Sequence, residues 1–227
     1  MSKKLNIITI PLLILVELVF WILIVFVRPS NISLFCFFSV ITACLVSFVF
    51  SLSNPKKLTI SFALLFTVIA DLFLVVLRLT KTTQSLGLIF FNIVQILYFL
   101  YIFIDNKHKK ASLIFRISLN VLMIIISIIV LKSNVDLVSI LTMIYISNLF
   151  ANIVDCFLTI KTNYMLLIGL IFLIMCDIFL GLVMADGIYL FYKDGSFLYK
   201  LVRIPLDFSW FCYIPSQTII AVFANKK

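Results

Sequence analysis

The sequence predicts an all-α, polytopic membrane protein of eight transmembrane helices, forming one integral membrane domain over residues 1–227. Three observations lead there. Of 227 residues, 64% are hydrophobic and 12% charged, and the mean hydropathy is +1.28; a soluble domain of this size needs far more polar surface. The apolar residues gather into eight runs close to the ~20 residues a helix needs to cross the hydrocarbon. With 5 Gly and 5 Pro in the whole chain, these runs read as long continuous helices. The short alternating stretches of a transmembrane barrel do not occur.

The first run, 5–27, follows Ser2-Lys3-Lys4 and has the look of a secretory signal. It is too long for such a core, contains Glu17 and lacks a small-x-small cleavage site, so it reads as the first membrane helix. Runs follow at 32–52, 58–79, 86–104, 112–131, 137–160 and 164–184, with a shorter one at 208–224. The breaks between them are polar and brief, as in Arg28-Pro29-Ser30-Asn31 and Lys81-Thr82-Thr83-Gln84, which predicts antiparallel neighbours. The connection 185–207 is the exception. Its Ile188-Tyr189-Leu190-Phe191-Tyr192 and Phe197-Leu198-Tyr199 suit a segment lying in the membrane interface, or a surface loop with interfacial anchors.

The formal charge of +9 belongs almost entirely to these breaks, as in a membrane protein setting its orientation, and not to a nucleic-acid site. Eleven basic residues fall on the side of the amino terminus and seven on the other, which favours both termini in the cytoplasm. Cys36, Cys44, Cys156, Cys176 and Cys212 lie within apolar runs without CxxC spacing, and read as small core hydrophobes. Arg116, just inside the fifth run, is expected to snorkel to the interface.

The third and seventh runs align without a gap. Leu64-Leu65-Phe66-Thr67-Val68-Ile69-Ala70-Asp71-Leu72-Phe73-Leu74 matches Leu170-Ile171-Phe172-Leu173-Ile174-Met175-Cys176-Asp177-Ile178-Phe179-Leu180. Apolar matches count for little here; the aligned aspartate counts, because an ionisable residue in a span is costly and rare. Two four-helix repeats, 1–104 and 112–224, are expected. At ~1.5 Å rise per residue, Asp71 and Asp177 lie roughly 10–12 Å from the same membrane face. By the same measure Asn92, Gln95, Tyr213 and Gln217 lie at about 8–14 Å, and Glu17, Asn120 and Asn148 at about 15–17 Å. A shared polar layer is thus expected, with the aspartates functional or, alternatively, structural. Gln95 and Gln217 serve either there or as interhelical hydrogen bonds. Tyr145, Asn148, Asn152, Asp155 and Thr159 form one inward stripe on the sixth helix, with Asp155 structural or part of a polar path.

One histidine, His108, cannot make a three-His zinc site. GxSxG and Gly-rich phosphate motifs are also missing from the sequence. No metal and no cofactor is expected, and acid–base work falls to the carboxylate pair.

The chain resembles the YhhN family of lysoplasmalogenases. The resemblance rests on Ala70-Asp71 with Phe73-Leu74, Cys176-Asp177, Gly87-Leu88, Gln95-Ile96-Leu97-Tyr98, and Tyr213-Ile214-Pro215-Ser216-Gln217-Thr218-Ile219-Ile220-Ala221. It spans roughly residues 54–224, with Gln95 where the family has His and Cys176 where it has Ser. The resemblance implies hydrolysis of the vinyl ether of a lysolipid in the bilayer, giving a fatty aldehyde and a glycerophospho-head group. Asp71 and Asp177 would be the acid–base pair. Asn92, Gln95, Tyr98, Tyr213, Gln217 and Glu17 would bind and orient substrate and water. The alternatives are a small-molecule or proton-coupled transporter, which also uses repeated halves with midplane acids, and a non-catalytic lipid binder.

Overall fold

Each apolar run forms a helix in the computed structural model, which describes residues 3–51, 55–77, 80–132, 135–189, 196–197, 200 and 207–223. The helices are α1 (Lys3–Ile22), α2 (Ile32–Ser51), α3 (Pro55–Asp71), α4 (Lys81–Asp105), α5 (Lys109–Leu131), α6 (Leu137–Leu158), α7 (Ile160–Tyr189) and α8 (Phe208–Phe223), with no strand among the described residues. Seven have the length and apolarity to cross a membrane, while α8 is a shorter apolar helix. The chain is therefore a multi-pass membrane protein. Of the aromatic connection, 190–195, 198–199 and 201–206 lie outside the described residues; α7 itself continues to Tyr189.

Two spans end in π turns. The first span ends in a π turn, Leu23–Val27, and the third in another, Leu72–Val76. Arg28 N–H donates to Leu23 O at 2.8 Å and Leu77 N–H to Leu72 O at 2.9 Å, each reaching five residues back. The second π turn starts immediately after Asp71, and such turns gather at functional sites.

Pro215 lies inside α8. A proline has no N–H to give the carbonyl four residues earlier, here that of Phe211. The indole of Trp21 on α1 donates to that oxygen at 3.1 Å. The orphaned carbonyl thereby becomes a joint between the first and last helices.

The most extensive packing joins α3 to α4 and α7 to α8; α6 packs on α4, and α8 also on α2 and α1. A glycine sits in each of these two interfaces. A Cβ on Gly87 would strike Leu74 of the π turn, so Phe73-Leu74 and Gly87-Leu88 meet in space. A Cβ on Gly169 of α7 would sit 2.6 Å from Ile220 Cγ1 of α8, beside the bond from Ser216 Oγ to Gly169 O at 2.8 Å. Gly169→Ala is expected to destabilise the fold by about 1–3 kcal/mol through overpacking, read as a lowered unfolding midpoint. An unchanged midpoint would show that this glycine does not set the α7–α8 spacing.

The starts of α4 and α6 are capped alike. Thr80 and Thr83 exchange side-chain and backbone bonds, as do Asp136 and Ser139. Lys81 Nζ lies 3.1 Å from Asp136 Oδ2, tying the two caps together. The Ser139 N–H, and then Lys81, hold the Asp136 carboxyl below the usual carboxylate range. Its capping is in force above the ordinary carboxyl pKa and fades only as pH falls through the lowered value.

Candidate functional site

The two aspartates reach the interior from α3 and α7, and each meets a tyrosine of another helix. Tyr213 of α8 donates its hydroxyl to Asp71 Oδ2 at 2.6 Å. Tyr145 of α6 donates to Asp177 Oδ2 at 2.7 Å. Asp71 is 3% exposed, whereas Asp177 is half-buried. The carboxyls lie within electrostatic reach of each other, and Cys176 lies within reach of both. No other described side chain hydrogen-bonds either carboxyl, so Oδ1 of each is the oxygen without a side-chain partner among the described residues. The phenylalanine two residues beyond each acid anchors its helix: Phe73 stacks on Phe90 of α4 at 5.8 Å, and Phe179 on Phe208 of α8 at 5.0 Å.

A second polar group occupies α4, α5 and α6. Arg116, expected to snorkel to the interface, is instead 7% exposed and paired within the bundle. Its Nη1 lies 2.9 Å from Asn148 Oδ1, and its Nη2 lies 2.7 Å from Asn152 Oδ1 and 3.3 Å from Asp155 Oδ2. Its guanidinium stands 4.1 Å from the Phe99 ring centroid. The cause is the acceptor stripe on α6, which offers oxygens that the interface would otherwise supply. Asp155 also accepts from Asn106 Nδ2 at 3.1 Å and Ser112 Oγ at 2.7 Å. The network extends to Asn120, whose Nδ2 donates to Asn148 Oδ1 at 3.3 Å, and to Gln95 through Asn152.

The remaining candidates are dispersed. Asn92 donates to Leu88 O at 2.9 Å and Leu141 O at 3.1 Å, bridging α4 to α6. Glu17 accepts from Ser39 Oγ, joining α1 to α2. Gln217 is buried on α8. Among the candidates, the buried atoms Glu17 Oε1, Asn92 Oδ1, Gln95 Nε2, Tyr98 Oη and Gln217 Oε1 have no hydrogen-bond partner among the described residues, and neither do Arg116 Nε, Ser127 Oγ and Asn163 Oδ1. An unpaired buried polar atom costs about 1–3 kcal/mol, so each calls for a water or a ligand group.

The residues of the expected polar layer hydrogen-bond in separate groups, among them the aspartate–tyrosine cluster, the arginine network and the Glu17–Ser39 pair. Tyr145 as the partner of Asp177 was legible only as one member of an inward stripe. Nothing in its spacing names the acid it meets. All five cysteines are buried and none forms a disulfide, and no cluster of metal-binding residues occurs among the described residues.

A family model described as the YhhN family matches residues 23–222. No curated protein and no solved structure matches the chain. The matched region contains both aspartates, both tyrosines and Gln95, and it begins after Glu17.

Proposed function

The chain belongs to the YhhN family, and from that membership together with the paired carboxyls we propose that it is a membrane-embedded hydrolase of lysoplasmalogen type. The observation that carries this reading is the pair itself. Two intramembrane acids from different helices, each held by a phenol, lie within electrostatic reach of one another.

Vinyl-ether hydrolysis needs one protonated and one ionised carboxyl, and two acids that repel one another titrate apart. The acid gives its proton to the β-carbon of the vinyl ether, leaving an oxocarbenium ion. Water adds to the α-carbon while the ionised carboxyl takes its proton. The resulting hemiacetal loses the glyceryl oxygen, which leaves as an alcohol with that proton, while the hemiacetal hydroxyl returns its proton to the first carboxyl and the fatty aldehyde departs. No redox partner enters. Tyr145 and Tyr213 each engage Oδ2 and turn Oδ1 toward the reacting atoms. Gln95, Tyr98 and Gln217 supply polar atoms for substrate and water. The excess of basic residues on the amino-terminal side supports both termini in the cytoplasm.

Purified full-length protein given a lysoplasmalogen is expected to release fatty aldehyde and glycerophospho-head group in equal amounts. Uptake into proteoliposomes without aldehyde would instead identify a transporter. Retained lipid without turnover would identify a binding protein, the outcome to which Gln95 in the histidine position points.

A further inference from the structure

Arginine donates hydrogen bonds and cannot accept them, and in this bundle that restriction passes through two amides. Arg116 Nη2 lies 2.7 Å from Asn152, so the Asn152 atom facing it must be the carbonyl oxygen. The NH2 end of Asn152 therefore faces α4, where it donates to the Gln95 backbone O and to Oε1, both at 2.9 Å. An NH2 group needs an acceptor opposite, so Gln95 turns its oxygen toward Asn152 and its own NH2 away. Reversing either amide would set donor against donor.

The NH2 thus directed is Gln95 Nε2, on a side chain 0% exposed and without a partner among the described residues. One turn along α4, the hydroxyl of Tyr98, also fully buried, is likewise unpartnered. Both lie on α4, which meets the aspartate cluster at Tyr145. Tyr98 is within electrostatic reach of Tyr145, the phenol on Asp177. Phe91, one turn before Gln95, packs on the Tyr145 ring at 5.5 Å between centroids.

We propose that Arg116 and Asn152 are positioning residues that lock the Gln95 amide donor-outward, so that Gln95 and Tyr98 bind an uncharged oxygen of the lipid, the glyceryl hydroxyl or ether oxygen. A phosphate is the wrong match. The one buried guanidinium in the cluster is already neutralised by Asp155 at 3.3 Å, and the neighbouring aspartates repel anions. The inference rests on the lipid-hydrolase reading, and its test has a readout separate from turnover.

The test compares Asn152→Asp, Asn152→Ala and Gln95→Glu in the full chain. It measures kcat and KM for a lysoplasmalogen, and binding of its saturated alkyl-ether analogue, which cannot be hydrolysed this way. Asn152→Asp keeps acceptors for Arg116 but faces Gln95 with oxygen, turning the amide round. KM and the analogue's Kd are expected to rise about 10-fold, the worth of roughly one hydrogen bond, with kcat nearly unchanged. Asn152→Ala frees Gln95 to rotate and is expected to raise both only about 2–3-fold, while lowering the unfolding midpoint more. Gln95→Glu should match Asn152→Asp, and it carries the test if that variant does not fold. The reverse order, with alanine worse than aspartate for binding, or unaltered analogue binding in Gln95→Glu, overturns the lock. If wild type binds the analogue yet releases no aldehyde, the hydrolase reading fails while the binding series still decides the lock. If wild type does not bind the analogue, both fail.

Discussion

Asp71→Asn is expected to slow vinyl-ether hydrolysis by about 10²–10⁴-fold, the range that general acid–base catalysis supplies, and Asp177→Asn by a similar factor. Asparagine keeps the shape of the side chain and an oxygen for the tyrosine above it, so the bundle should fold while the exchangeable proton is lost. In the proposed mechanism the two carboxyls act on one reaction, so their effects should not multiply; the double variant should be little worse than either single. The measurement is aldehyde released per folded molecule, with folding checked by helicity and by a monodisperse elution profile. Full turnover by both single variants would remove these residues from the chemistry.

The largest effect on stability is expected at the other polar group. Asp155→Ala leaves the Arg116 guanidinium buried without its counter-charge and deprives Asn106 and Ser112 of their acceptor. Breaking a buried pair from one side costs about 3–5 kcal/mol. Arg116→Met should cost less, since the Asp155 carboxylate still receives hydrogen bonds from Asn106 and Ser112. The double variant Asp155→Ala/Arg116→Met should recover much of the loss, because a well-packed apolar pair often matches a buried ion pair. Unfolding midpoints of the wild type and these three variants make the double-mutant cycle. Additive losses would show that the ion pair carries no coupling.

The eight spans are legible in the sequence because lipid permits so few charges that runs and breaks separate by composition alone. Asp71 and Asp177 are legible for the same reason, as costly exceptions within such runs. What each acid touches is not. Tyr213 meets Asp71 from 142 positions away, and helical periodicity gives the face a residue occupies but not the neighbour across it. Arg116 misled for a definable reason: snorkelling is the default for an arginine near a helix end. The contrary signal was present in Asn148, Asn152 and Asp155, acceptors at steps of four and three along one face of α6. The π turn after Asp71 left no trace, since counting at 3.6 residues per turn presumes the geometry it breaks. Beyond Asp71, rotational positions read from an ideal helix are therefore displaced relative to those beyond Asp177.

The bond from Tyr213 to Asp71 also bears on how the protein is made. A ribosome delivers α3 to the membrane long before α8, so Asp71 waits through most of synthesis without its phenol. The site is finished only when the last helix docks, clasped by the Trp21 indole on the carbonyl that Pro215 leaves open. A nascent or truncated chain carries both acids but not the geometry that aims them.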